Sequence, residues 1–197
     1  RGGAVTLTAT RQQRTPTETQ LVFCPQDILL GVGCARGAAA DEVIDLVMAE
    51  LQTANINAAS IAAVVTADIK ADEPAIHALA SMLAVPLRVF DRDVLAAETD
   101  RLESPSQVVF DEIGVHGVAE AAALAAAGPE GKLIHPKAKS GNATMALAQA
   151  GTFPLPALPG RKPGRVMLIG IGPGKAEWRT PEASQMILGA DELVGYD

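Results

Sequence analysis

Aromatic side chains are scarce: one Trp, one Tyr and four Phe make up 3% of the 197 residues. A surface that stacks successive nucleobases needs several such rings, so this composition argues against a single-stranded nucleic-acid platform. Positive charge is short as well, with 16 Lys and Arg against 23 Asp and Glu, a net charge of −7. A general binder of phosphate backbones is therefore not expected, and an anionic ligand needs a local cluster of cations. Cysteine is limited to Cys24 and Cys34, neither in a CxxC pair. No disulfide framework or zinc site follows, and a reducing, cytoplasmic compartment is the expectation. His77 and His116 stand at no metal-ligand spacing, so no metal is expected. Long apolar runs are missing too: GVAEAAALAAAG is interrupted by Glu120 and is too short to span a bilayer, so no membrane partner is expected.

What remains is a 48% hydrophobic chain whose core must be built from Ala, Val, Ile and Leu. At this length a domain buries roughly two thirds of its unfolded surface, enough for a core of its own. The N-terminus, RGGAVTLTATRQQRTPTETQ, carries no Met and no signal-like apolar stretch. Both ends look cut, and a piece of a longer polypeptide is the expectation.

Residues 1–24 show no sustained period and read as an extended tail or the exit from a preceding domain. From Asp27 the pattern sharpens into ILLGVG, a buried strand, and ADEVIDLVMAEL, a helix with Asp41 and Glu42 in its first turn, where the dipole favours them. IAAVV is a second strand, TADIKADEP a polar loop in which Asp72 is placed to cap a helix with Pro74 near its start, and PLRVF a third strand. SPSQVVFDEIG leads into an Ala-rich helix over Val118–Ala127, stopped by Gly128 and Pro129, and KLIHPK and NATMALAQ read as two last strands. Alternating strands and helices predict an α/β fold for residues 25–150: a three-layer α/β/α sandwich with a mostly parallel sheet, mixed near its end. GTFPLPALPGRKPG, residues 151–164, holds four prolines and reads as a stiff, exposed linker. Residues 165–197 then resemble the truncated strand, loop and helix of a second α/β domain.

Four stretches carry candidate chemistry. GVGCARG places Gly31, Gly33 and Gly37 at GxGxxxG spacing, which departs from the GxGxxG dinucleotide fingerprint. It is either a tight strand-to-helix turn or an anion site made of backbone N–H groups and Arg36. Cys34 within it is a small packed residue or, with its thiolate stabilised by the helix start and Arg36, a nucleophile. DIKADEP gathers Asp68, Lys70, Asp72 and Glu73 beyond the second strand, so it and GVGCARG flank one crevice if both strands are parallel. HPKAKSGNATMALA brings His135, Lys137, Lys139 and Thr144, either carboxylate contacts or hairpin solubilisers.

Taken in order, GVGCARG, ADIKADEP, VPLRVF, SQVVFDEIGVHGVAEAAALAAAG and HPKAKSGNATMALA resemble one family over roughly Pro25–Gln149. It is the C-terminal domain of the cobalamin-biosynthesis protein CbiG, also found as the stand-alone CobE. The resemblance implies a tetrapyrrole (precorrin) partner rich in acetate and propionate groups, no cofactor for residues 25–150, and, in the anaerobic route, opening of a lactone with loss of acetaldehyde. On that basis Gly31, Gly33, Cys34, Arg36, Gly37, Lys70, Lys137 and Thr144 are candidate substrate contacts, and Glu73 and Glu120 candidate proton-handling groups. Catalysis and non-catalytic binding of an intermediate both stay open. LIGIGPG, EWRTPEA and ADELVGYD resemble a second family, the start of the tetrapyrrole methylases and within them precorrin-3B C17-methyltransferase. Gly170, Gly172, Pro173 and Gly174 are then its loop, with Lys175 where many relatives carry an acid. This implies a methylase fused in the same polypeptide, whose complete form uses S-adenosylmethionine; the fragment alone is not expected to bind it.

Overall fold

The computed structural model describes residues 5–104, 117–155, 157–164, 166–172, 175, 178–190 and 192–195. Most of SPSQVVFDEIG, together with His116, Pro173 and Gly174, lies outside the described residues. The chain divides into two units, Arg1–Pro163 and Gly164–Asp197.

The first unit is organised around β3 (Ile28–Cys34), the central strand of a five-stranded sheet. Its neighbours are β4 (Ile61–Ala67) and β5 (Leu87–Phe90) on one side, and β7 (Ala143–Gln149) and β6 (Lys132–Lys139) on the other, giving the order β5-β4-β3-β7-β6. The β3–β4 and β4–β5 pairs are parallel, while β7 runs antiparallel to β3 and β6 antiparallel to β7. A parallel pair needs a crossover, supplied here by α1 (Ala40–Thr53) and α2 (Pro74–Met82). Two further helices are α3 (Arg92–Ala96) and the Ala-rich α4 (Val118–Ala127).

Alternation along β3 sorts its side chains between two cores. Ile28, Leu30 and Val32 join Val43, Val47 and Leu51 of α1 and Ile76 and Leu79 of α2 in one cluster. Leu29 belongs to the other, with the alanines of α4, Leu95 and Phe90. Each large aliphatic side chain fully buried in this way contributes roughly 1.5–3 kcal/mol. The three-layer α/β/α architecture with a mixed sheet is therefore as the sequence predicts.

The two glycines of GVG have a role that their spacing does not reveal. A Cβ on Gly31 would lie 1.8 Å from the Ala119 carbonyl oxygen of α4, so the strand and the helix meet backbone to backbone. A helix this rich in alanine buries little area per side chain and gains its packing by close approach, which the missing side chain permits. Gly31 and Gly33 are thus strand residues facing α4, and only Gly37, at φ +70°, occupies the turn.

Three expectations need correction. The N-terminal stretch is not a bare tail: β1 (Thr6–Ala9) and β2 (Gln20–Phe23) form a two-stranded parallel ribbon. Arg11 then forms a two-pronged ion pair with buried Asp27, Nε to Oδ1 at 2.7 Å, because a carboxylate 1% exposed at the entry to β3 requires a charged partner. Residues 151–164 are not simply an exposed linker, since Leu155 and Leu158 pack on the α4-side core and Arg161 pairs with Val89. Asp72 does not cap α2; the helix starts at Pro74 after Glu73, which makes no side-chain cap bond.

In the second unit, α5 (Pro181–Leu188) starts at TPEA, with the Thr180 hydroxyl accepting the Ala183 N–H. The strand expected over LIGIG is not formed among the described residues. Val166 and Leu168 are at least 90% exposed, and a strand gains its stability from a paired neighbour and a covered face, neither of which is present there.

Candidate functional site at the carboxyl edge of the sheet

Strands β3 and β4 run parallel and end side by side, so the loops that follow them, residues 35–39 and 68–73, share one rim. The N-termini of α1 and α2 open onto the same edge and add partial positive charge there. The loops GVGCARG and DIKADEP therefore lie side by side and are joined directly, Arg36 to Asp72 and the Gly37 N–H to Glu73.

Glu73 is its centre. The side chain is 2% exposed; Oε2 accepts the Gly37 N–H at 3.0 Å. Oε1 has no hydrogen-bond partner among the described residues, yet stands 3.5 Å from Arg36 Nη1 and 3.6 Å from Lys70 Nζ. A buried carboxylate with one oxygen left facing two cations is an unfinished arrangement, and buried polar atoms are normally satisfied. Arg36 also reaches Asp72 Oδ2 at 3.3 Å and donates to the Ile69 carbonyl at 3.2 Å. The Gly37 turn explains this geometry: its positive φ directs the N–H toward Glu73, and nothing lies within 4 Å of where a Cβ would stand.

Cys34 lies beside this group as a thiol. Burial pushes its pKa up, Glu73 adds to that, and Lys70 and Arg36 pull the other way without prevailing. The nucleophilic reading of Cys34 loses its physical basis, because the thiolate is the reactive species.

The remaining candidates serve other ends. Glu120 is 1% exposed and accepts three backbone N–H groups, from Glu103 and Ser104 at 3.0 Å and from Lys137 at 2.8 Å. Lys137 Nζ donates to the Ser104 carbonyl at 2.9 Å. Together they tie β6 to the approach to α4. Thr144 donates to the Gly33 carbonyl at 3.3 Å, and Gly31 lies under α4 rather than at the rim. The histidines are engaged locally, His77 with the Ala71 carbonyl at 2.7 Å and His135 with Glu50 at 2.9 Å. Gly170 and Gly172 belong to the second unit.

Two participants were not singled out in the sequence. Glu42 accepts from the Ser140 hydroxyl and the Asn142 N–H, both at 2.6 Å, fastening the β6–β7 hairpin to the start of α1. Arg161 comes in from the proline-rich segment to Asp68 and Asp91. The rim thus carries three cations, Arg36, Lys70 and Arg161, among four carboxylates, Asp68, Asp72, Glu73 and Asp91. Asp72 and Asp91 are exposed, Asp68 is half-buried and Glu73 is buried, so each cation of the rim already stands beside a carboxylate. A separate open groove of about 610 Å³, lined by Phe23, Ala59, Ala62, Phe153 and Leu155 among others, lies at the opposite, amino end of β4.

Among known proteins, the model of the family described as "Cobalamin synthesis G C-terminus" matches residues 28–148. The chain is 45% identical over 126 residues to "Protein CobE" of Sinorhizobium sp, covering 64% of this chain and 82% of that one. It is 30% identical over 141 residues to the "Cobalt-precorrin-5A hydrolase" of Priestia megaterium, covering 70% of this chain but 36% of the hydrolase. Among solved structures, that of CobE, a protein from the cobalamin (vitamin B12) biosynthetic pathway, aligns with TM-score 0.60 and 36% identity, over 64% of this chain and 91% of that one. The cobalamin biosynthesis protein chiG from Agrobacterium tumefaciens aligns with TM-score 0.50 and 34% identity over 64% and 99%.

Proposed function

Because the chain belongs to the cobalamin synthesis G C-terminus family, we propose that residues 25–150 hold a polycarboxylate precursor of the corrin ring at the carboxyl edge of the sheet. The observation that carries this is the pair of cations, Arg36 and Lys70, held 3.5 and 3.6 Å from the buried Glu73 carboxylate at the ends of two parallel strands. The Arg36–Asp72 pair is exposed on both sides, 66% and 73%, and such pairs contribute about 0–1 kcal/mol. Replacing Asp72 by a ligand acetate or propionate therefore costs little. Lys70, less exposed, stays beside Glu73 as the exchange occurs, and the partial charges of two helix N-termini favour the added anion.

The likeness to a cobalt-precorrin-5A hydrolase supports a catalytic version of the same reading. Glu73 Oε1 accepts a proton from water as the water oxygen bonds to a lactone carbonyl carbon. Arg36 stabilises the oxyanion; the ring C–O bond then breaks, the departing alkoxide becomes the carbonyl of acetaldehyde as its C–C bond to the macrocycle breaks, and the ring carbon left with that electron pair takes the proton from Glu73. A carrier role stops at binding, and acetaldehyde release from a lactone substrate separates the two. We extend the proposal to residues 165–197 as the start of a methylase fused in the same, cytoplasmic polypeptide. S-adenosylmethionine serves the complete methylase, and saturable binding of it by this chain would overturn that extension.

Titration of the 197-residue chain with uroporphyrin, a carboxylate-rich tetrapyrrole, followed by visible absorbance, tests the binding reading. Saturable binding is expected, weakened roughly tenfold by Arg36→Ala and by Lys70→Ala, as the loss of one charge-assisted contact implies. Binding indifferent to both substitutions would remove the site.

A further inference from the structure

The proline-rich segment returns to this rim as part of the first unit. Leu155 and Leu158 lie on the α4-side core, and Arg161 then exchanges two backbone hydrogen bonds of 2.9 Å with Val89 on the free edge of β5. Just before it, Gly160 has φ +85°, and a Cβ there would stand 2.9 Å from Cζ of the Phe90 ring. Glycine is thus required twice over, by backbone angle and by the ring. Apolar contacts and the ladder bonds therefore hold the strap without any help from the Arg161 side chain.

That side chain reaches the rim. Its guanidinium pairs with Asp91, lies 3.7 Å from Asp68, and remains 64% exposed. Asp68 opens the loop whose Ile69 carbonyl accepts from Arg36 and whose Lys70 faces Glu73. Arg36 and Arg161, from two separate segments, consequently join Lys70 at one short loop. Asp91 is 56% exposed, so its bond to Arg161 is an exposed pair that a competing carboxylate displaces at small cost. A guanidinium also presents a fork of donors suited to a carboxylate, which lets it keep one partner while accepting another.

We propose that Arg161 is a third carboxylate-binding cation of the site, delivered by the strap, and that Asp91 stands where a ligand carboxylate goes. The inference rests on the polycarboxylate reading above and sharpens it. Cations spread along a rim favour a rigid ligand with several spaced carboxylates over one with few. Arg161 also lies beyond the family-matched residues, so this contact is a property of the longer chain.

The experiment compares uroporphyrin, with eight carboxylates, and coproporphyrin, with four, on the full chain and on Arg161→Ala, Arg161→Lys and Asp91→Asn. Arg161→Ala is expected to weaken uroporphyrin binding about fivefold and coproporphyrin binding less, with partial rescue by Arg161→Lys. Asp91→Asn, which removes the competitor, is expected to tighten uroporphyrin binding about two- to threefold. If Arg36→Ala weakens binding while Arg161→Ala does not, the site stands and this inference fails. If Arg161→Ala and Asp91→Asn weaken binding alike, their pair is only a structural clasp and the inference again fails. No binding by the unsubstituted chain would overturn both the site and the inference.

Discussion

Glu42 and Glu73 show how differently two carboxylates of one rim are used. Glu73 is buried and half satisfied, whereas Glu42 is accessible and fully engaged by Ser140 and Asn142. The Ser140 hydroxyl foremost, then the Asn142 donors, hold the Glu42 carboxyl below its ordinary 4.5. A folded-state value below the unfolded one stabilises the fold above the unfolded value, and that contribution is lost as pH falls through the lower, folded one. Thermal melts between pH 7 and pH 3 should therefore show a shallower acid-side loss for Glu42→Gln than for the unsubstituted protein. Parallel curves would contradict the assignment. Arg36, Lys70 and Glu73 were legible in the sequence because parallel strands bring consecutive loops together. Glu42 was not, since its partners lie 98 and 100 residues away, and its place in a first helical turn already had a sufficient explanation in the dipole.

Among the elements, β3 and α4 define each other. Gly31→Ala forces a Cβ against the Ala119 backbone, which cannot rotate away, whereas Gly33→Ala meets the Thr144 hydroxyl at 2.9 Å and Val118, side chains able to give. Overpacking of the first kind costs about 3 kcal/mol, a fall in Tm of roughly 6–12 °C for a chain of this size. Gly33→Ala should fall by less than half as much, and equal falls would show that the close approach is not what Gly31 supplies. The strands and helices of the first unit were largely readable from period and punctuation, such as the stop of α4 at Gly128. The GxGxxxG spacing was ambiguous because glycine serves turns and close packing equally, and only the alanine content of α4 points to the second. The β1–β2 ribbon and the strap were missed for a shared reason. The ribbon joins two four-residue strands and the strap is held by Val89, far back along the chain, and neither leaves a local period in segments rich in Thr, Gln or Pro.

At the scale of the whole molecule, the first unit sets two different ends against each other. One carries the charged rim, with strand ends and helix starts converging; the other carries the apolar groove beside Phe23 and Leu155. The family and its place in cobalamin biosynthesis follow from an ordered set of blocks along the chain, and the sheet order explains why those blocks matter: two of them form the rim. The composition pointed to a local cluster of cations on an acidic protein, but not to carboxylates standing beside every one of them. On the proposed reading, that pairing makes ligand entry an exchange of carboxylates. The most direct test is an amide chemical-shift map of the full chain as uroporphyrin is added. The largest changes are expected in residues 35–38 and 68–73, with a second set near Val89 and Arg161. Changes confined to the groove around Phe23, Ala62 and Leu155 would contradict a ligand site at the carboxyl edge of the sheet.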